Sequence, residues 1–140
     1  MAPGTDAVGT WTGLTSATTR ADLARAAFEA LLCALADAVD ALVGCTGTQP
    51  GRVLLVGGAA RSSAVRALAP SILGRDVVLL EEGEYVARGA ARQAAWALSG
   101  ADQPPDWPLP TAGLLTDNPD PSVRERYGAL RDRLDPNTTE

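Results

Sequence analysis

The sequence predicts an α/β domain, and two short apolar runs carry that prediction. Val53–Val56 leads into the glycine pair Gly57-Gly58 and then into an amphipathic stretch from Ser63. Asp76–Leu80 is a second such run, followed by another helical pattern. Runs that are apolar throughout, rather than alternating, are typical of strands buried on both faces. The strand–helix–strand–helix order predicts two parallel strands joined by a right-handed crossover.

Composition sets the range of functions. A chain of 140 residues, 46% of them hydrophobic, is long enough for one domain with its own core. The net charge of −5 argues against nucleic acid or an anionic membrane as the main partner. The 12 basic residues are all arginine, with no lysine and no histidine, so this chain alone cannot build a Ser-His-Asp triad, a histidine metal site or a P-loop lysine.

Targeting and redox signals are weak. The chain shows neither a signal-peptide pattern nor an apolar run of bilayer-spanning length, so we expect a cytoplasmic protein. Cys33 and Cys45 are interpreted as buried free thiols rather than as a disulfide.

The first part of the chain predicts a strand and a long helix. Alternation over Thr10–Thr15 favours a short N-terminal strand. A helix should then run from about Arg20 to Val43, capped by Thr18 or Thr19 at its start and by Gly44 at its end. Three-four spacing predicts its buried stripe as Leu23, Ala27, Leu31, Ala34, Ala38 and Leu42.

The later elements follow the two central strands. Helices are predicted over Ser63–Leu73, where Pro70 should kink the helix or shift its boundary, and from about Tyr85 to Leu98. Residues 101–121 contain six prolines and predict an extended segment laid over the surface, with Trp107 as a packing anchor. A short surface helix should follow over Ser122–Leu134.

The glycine turn after the first central strand is the candidate ligand site. In open α/β sheets, ligands bind where strands end and helix amides face outward. The sequence GGAARS matches neither G-x-G-x-x-G nor G-K-[ST], however. Taken alone, it is most simply a tight turn with Ser62 or Ser63 as the N-cap of the next helix.

Three segments, in order over Gly9–Leu98, resemble the FGGY family of carbohydrate kinases. The first is Gly9–Leu14 with Asp22-Leu23 and Ala26–Glu29, which is similar to the family's second signature. GGAARSSAVRALAPSILGRDVV resembles its adenosine turn with the helix and strand behind it, and EEGEYVARGAARQAA resembles the next turn and helix. Within the family, the pattern looks most like the xylulokinases.

The resemblance implies a partial ribonuclease-H-like lobe of the actin-like ATPase kind, built from the elements above: a short N-terminal strand, a long helix, a βαβα unit with parallel strands, and a Pro-rich tail with a terminal helix. Residues 1–100 would be the C-terminal, adenosine-side lobe, incomplete at its N-terminal end. Residues 101–140 would be a Pro-rich extension with a surface helix.

For the site, the resemblance implies ATP as cofactor. Gly57 and Gly58 would let the backbone lie against the adenosine, and Ser62 would be a polar neighbour of the base or ribose. Ala59 stands where the family usually has a third glycine, and Arg88 stands where leucine is usual.

The catalytic aspartate, the sugar site and the phosphate loop belong to the family's first lobe, and we expect them, like the Mg²⁺ ligands, outside this chain. The chain would thus be part of an ATP-dependent kinase of a sugar, D-xylulose by resemblance, and inactive alone. Its expected partners are ATP or ADP, the missing N-terminal lobe with its sugar, and a second copy of itself through an exposed sheet edge. The alternative is a non-catalytic small α/β module that binds a nucleotide or serves as an interaction surface.

Overall fold

A computed structural model describes residues 10–134, so Gly9 of the first family-like segment lies outside the described part of the chain. The elements, in chain order, are α1 (Arg20–Thr46), β1 (Val53–Leu55), a 3₁₀ turn (Gly58–Arg61), α2 (Ser63–Leu73), β2 (Val77–Leu80), α3 (Tyr85–Ser99), β3 (Thr111–Leu115) and α4 (Pro121–Leu134). Within these residues, no helix is both long and apolar enough to cross a membrane.

A mixed three-stranded sheet in the order β1-β2-β3 forms the centre of the molecule. β1 and β2 are parallel, with Val53 opposite Val77 and Leu55 opposite Leu79, as the two apolar runs predict. α2 connects them and is continuous through Pro70 from Ser63 to Leu73, so Pro70 does not shift its boundary. The pyrrolidine ring of Pro70 is buried in the core, and its carbonyl accepts the backbone N–H groups that end the helix.

β3 is a strand that the proline pattern did not predict. Residues 101–121 were expected to be extended over the surface, but Thr111–Leu115 pairs antiparallel with β2, placing Leu115 opposite Val77. The run between Pro110 and Pro119 contains no proline. Its backbone N–H groups are therefore available for pairing, and they satisfy an edge of β2 that would otherwise be open.

The core lies on one face of this sheet, where α1, α2 and α4 meet. Seven buried residues form it: Leu32, Cys33, Val65, Ala69, Ile72, Val77 and Val123. α4 is also fastened to α1 by charge, because Arg124 contacts both Asp37 at 3.1 Å and Asp40 at 2.6 Å. These contacts hold the C-terminal helix against the same layer as α2.

The predicted buried stripe of α1 is wrong. Leu32, Cys33 and Ala36 are the buried residues of this helix, whereas Leu31 and Leu42 of the predicted stripe are 48% and 65% exposed. Because α1 is rich in alanine and leucine on several sides, helical spacing fits more than one face. The positions of α2 and α4 decide which face is covered.

The ends of α1 were predicted in part. Thr19 is the N-cap and forms a capping box with Asp22: the Asp22 N–H donates to the Thr19 hydroxyl, and the Thr19 N–H donates to the Asp22 carboxylate at 2.9 Å. The helix passes Gly44 and ends at Gly47, which has φ 65° and donates to the Val43 carbonyl. Gly47, not Gly44, adopts the left-handed conformation that stops a helix.

The expected N-terminal strand over Thr10–Thr15 is also wrong. These residues are irregular and lead into a turn in which the Thr15 N–H donates to the Thr18 hydroxyl at 2.9 Å. Trp11 and Leu14 are more than half exposed. A strand needs a neighbour for its backbone groups, and none of the three strands in the described residues lies beside this segment.

The two cysteines differ. Cys33 is buried, as predicted, and burial raises the pKa of its thiol. Cys45 is exposed, which corrects the expectation that both are buried; it lies in the last turns of α1, beyond the buried residue Ala36. Both are free thiols.

Candidate functional site

The chain leaves β1 through a turn that requires glycine at its first position. Gly57 has φ 82° and ψ −169°, a combination that is essentially restricted to glycine because a Cβ would clash with the backbone. Gly58 has no positive φ and opens the 3₁₀ turn. The backbone conformation therefore requires glycine at Gly57 but not at Gly58.

Hydrogen bonds fix the path from this turn into α2. The Ala60 N–H donates to the Gly57 carbonyl, and the Ser62 N–H donates to the Ala59 carbonyl, both at 3.1 Å. Ser62 is the N-cap of α2, since its hydroxyl accepts from the Val65 N–H at 3.4 Å. Of the two serines considered for this role, Ser62 has it. Its hydroxyl proton remains available to an acceptor outside the turn.

The turn after β2 forms the facing wall. Because β1 and β2 are parallel, their carboxyl ends meet at one edge, so residues 81–84 lie beside the glycine turn. The Tyr85 hydroxyl donates to the Glu81 carbonyl at 2.7 Å and fastens this second turn to the start of α3. Across the gap, the guanidinium of Arg61 lies 3.3 Å from the carboxylate of Glu82.

A cleft of about 280 Å³ lies between the two turns; we call it the glycine cleft. Gly57 and Gly58 line it, and a Cβ at either position would meet no atom within 4 Å. Ala59 and Ser62, the other two predicted site residues, are not among the residues that line it. The cleft is slightly smaller than the pockets that enclose a whole ligand, so it offers a surface for part of one.

The charge of the glycine cleft does not suit a polyphosphate. Three carboxylates line it (Glu81, Glu82 and Glu84) against two guanidiniums (Arg61 and Arg66), which leaves a formal charge of −1. One of the two guanidiniums is also engaged, because Arg66 Nε donates to the Ala60 carbonyl at 2.5 Å. A neutral, planar group against the glycine backbone fits this balance better than a phosphate chain does.

The charged residues of this cleft were not among the predicted site residues. Arg61 and Arg66 lie on the 3₁₀ turn and the first turn of α2, and Tyr85 opens α3. One sequence signal could have pointed to them: the acidic run Glu81–Glu84 follows the second apolar run. Because parallel strands end at the same edge of a sheet, such a run lies beside the glycine turn. Within residues 10–134, no group of three or more acidic, cysteine or histidine side chains is arranged to hold a metal ion.

Comparison with known proteins defines the class. Residues 2–98 match the C-terminal domain of the FGGY family of carbohydrate kinases, and the chain belongs to that family. Its fold is an α/β fragment of that actin-like domain, with four helices and a three-stranded mixed sheet in the described residues.

Within the family, the chain is similar to xylulose kinases. It is 37% identical to the xylulose kinase of Streptomyces coelicolor over 90 residues, which are 64% of this chain and 19% of that protein. The crystal structure of xylulose kinase from Bifidobacterium adolescentis superposes with a TM-score of 0.74 at 50% identity, over 89% of this chain and 25% of that one. The crystal structure of xylulose kinase from Rhodospirillum rubrum superposes with a TM-score of 0.68 at 31% identity, over 96% of this chain and 29% of that one. The matched region thus spans between 19% and 29% of the length of these relatives.

Proposed function

We propose that this chain is the adenosine-side portion of an ATP-dependent carbohydrate kinase, with D-xylulose as the sugar. The observation that carries the proposal is the glycine turn. In a chain of this family, Gly57 and Gly58 present bare backbone, with open space above it, at the carboxyl end of β1. The sugar follows from the xylulose kinases to which the chain is similar.

In this proposal the adenosine lies against the backbone of Gly57 and Gly58. Ala59 and Ser62 follow these glycines but do not line the cleft, so Ser62 would donate its hydroxyl proton only to a part of the base or ribose that extends past the cleft, while its oxygen caps α2. The small size and the negative charge of the glycine cleft support adenosine, rather than the phosphates, as the part held here. Residues 1–100 form the lobe and residues 101–140 its extension, tied to the lobe by the pairing of β3 with β2.

The proposed reaction is ATP + D-xylulose → ADP + D-xylulose 5-phosphate. Mg²⁺ would neutralise charge on the transferred phosphoryl group, with its ligands outside this chain. The base that takes the sugar proton and the sugar contacts would belong to the N-terminal lobe. Phosphoryl transfer depends on positioning both reactants between the lobes. This chain therefore binds and orients the nucleotide, and it phosphorylates sugar only when that lobe is supplied.

A second candidate function is a non-catalytic interaction module, and the exposed face of α1 favours it. Leu31, Leu35 and Leu42 are each about half exposed or more along one helix. Exposed leucines grouped in this way are typical of a surface that another chain covers. The two functions differ in whether the glycine cleft binds nucleotide.

Isothermal titration with adenosine, ADP and ATP tests the first function. The wild-type chain should bind adenosine and ADP with dissociation constants within about threefold of each other, because the net charge of the glycine cleft is negative and both of its arginines already have partners. Gly58→Val should abolish binding: its side chain would occupy the open space without straining the backbone. Gly44→Val is the matched control, since Gly44 is exposed on α1 and also has no neighbour within 4 Å.

Two outcomes would reject the adenosine site: no heat with any of the three ligands, or equal binding by Gly58→Val and wild type. ATP that binds more than about tenfold tighter than adenosine would instead contradict the assignment of this cleft to the base and ribose.

A further inference from the structure

A second cleft, of about 680 Å³, lies on the sheet face turned away from the core; we call it the α3 cleft. Its floor is formed by Leu54 and Val56 of the β1 segment with Leu80 of β2. α3 forms one wall, and the segment from Asp106 to Leu109 forms the other. The volume falls in the range of pockets that take small organic ligands.

The alternation of β1 explains why the α3 cleft exists. Val53 and Leu55 pack against the core, so the residues between and beside them point to the opposite face. There, α3 covers the sheet loosely: among its 15 residues, none is buried. An apolar strip of the sheet thus faces a gap rather than a packed helix.

Two arginines of α3 donate hydrogen bonds to the proline-rich segment that forms the opposite wall. Arg88 Nη2 donates to the Pro108 carbonyl at 2.8 Å, and Arg92 Nε donates to the Pro105 carbonyl at 2.7 Å. The Arg88 guanidinium also lies 5.8 Å from the centre of the Trp107 ring, a cation–π distance. Because a guanidinium has five N–H donors, these contacts hold the side chains in place and leave donors for a ligand.

The α3 cleft has the opposite sign from the chain as a whole. Three arginines line it (Arg52, Arg88 and Arg92) against one carboxylate, Asp106, so its formal charge is +2 in a chain of net charge −5. Clustered cations beside an apolar wall attract anions more strongly than the same charges spread over the surface.

Arg52 and Arg92 lie toward the same end of the cleft. Arg92 is seven residues beyond Tyr85, about 10 Å along α3, as the helix runs back from the carboxyl edge of the sheet. Arg52 precedes β1, about 13 Å back along the strand from Val56. The other end, at Val56, Leu80 and Tyr85, adjoins the glycine cleft, because these residues line both clefts.

We propose that the α3 cleft is a binding site for a small amphipathic carboxylate. Its planar apolar body lies over Leu54 and Val56 beside Trp107, and its carboxylate accepts hydrogen bonds from Arg52 and Arg92. Charge-assisted bonds of this kind select a carboxylate over a neutral group of the same shape. The site does not depend on nucleotide binding in the glycine cleft.

Titration of the ¹⁵N-labelled chain with 2-naphthoate, followed by NMR, tests this site, with 2-naphthamide as the uncharged probe of the same shape. The indole N–H signal of Trp107 and the amide signals of Arg52 and Leu54 should move together. The indole of Trp96, which donates to the Ala101 carbonyl and does not line the cleft, should stay in place. Naphthamide should bind about tenfold or more weakly, because it loses both charge-assisted bonds.

Arg52→Gln is the decisive variant, because Arg52 is exposed and lies before β1, so its loss leaves the fold intact. It should raise the dissociation constant for naphthoate by about three- to tenfold, while Arg133→Gln, an equal loss of charge on α4, should leave it unchanged. Equal binding of naphthoate and naphthamide, an unchanged dissociation constant in Arg52→Gln, or shifts centred on α1 rather than on Trp107 would each overturn the proposal.

Discussion

Replacing Leu32 with alanine, and comparing it with the same change at the adjacent Leu31, tests which face of α1 carries the core. Leu32 is 1% exposed and belongs to the core cluster, whereas Leu31 is 48% exposed. Leu32→Ala removes buried methyl groups and leaves a cavity among residues of α2 and β2. Changes of that kind cost about 2–5 kcal/mol. About half of the Leu31 side chain is already in water and no cavity forms, so Leu31→Ala should cost about 1 kcal/mol or less.

Urea unfolding followed by far-ultraviolet circular dichroism measures both costs on the same chain. The midpoint should fall clearly for Leu32→Ala and little for Leu31→Ala, with similar slopes. If Leu32→Ala does not fold, Leu32→Val should still show a loss of about 1 kcal/mol against wild type. Equal losses at the two positions, or a larger loss at Leu31, would mean that α1 presents its sequence-predicted stripe to the core and that the packing described above is wrong.

Three further predictions concern backbone, thiol and pH. Gly57→Ala should lower the free energy of unfolding by about 1–3 kcal/mol and Gly58→Ala by less than about 1 kcal/mol, because only Gly57 has a φ that requires glycine; equal losses in thermal melts would contradict this reading of the turn. Iodoacetamide should label Cys45 in the native chain at least about tenfold faster than Cys33, whose thiol is buried and has a raised pKa; mass spectrometry of the labelled peptides decides it. Hydrogen bonds from the side chain and backbone of Thr19 lower the pKa of Asp22. The ionised Asp22 carboxylate therefore stabilises the fold above its unfolded pKa of about 3.9, and this stabilisation is lost as pH falls through the lower folded pKa. Asp22→Asn should flatten the decline in stability between pH 5 and pH 2, and an unchanged decline would exclude Asp22 as the source of that decline.

Local patterns were sufficient for the elements whose signal lies within a few residues. The apolar runs that become β1 and β2, the bounds of α2 and the Thr19 N-cap of α1 are confirmed because strand continuity, helical period and cap chemistry depend on neighbours in sequence. The prediction of an N-terminal strand was wrong for the opposite reason. A strand depends on a partner strand elsewhere in the chain, and Thr10–Thr15 has no such partner in the described residues.

The candidate site likewise contains features that local sequence predicts and features that it does not. The glycine turn was predictable because its backbone conformation excludes other residues at Gly57. The Arg61–Glu82 contact was not, since it depends on two turns that lie 21 residues apart and meet only because β1 and β2 are parallel. The arginines of the α3 cleft are similarly separated in sequence, since Arg52 precedes β1 while Arg88 and Arg92 lie on α3, and no sequence period connects them.

The family, the parallel strand pair and the glycine turn that ends β1 follow from the sequence alone, because each depends on local motifs or on the steric limits of single residues. Three features follow only from how the chain packs: the face of α1 that is buried, the pairing of Thr111–Leu115 with β2, and the difference in charge between the glycine cleft and the α3 cleft. The physical reason is that an alanine-rich helix, a short apolar run and a scattered set of arginines each fit several arrangements. Packing against distant parts of the chain selects one.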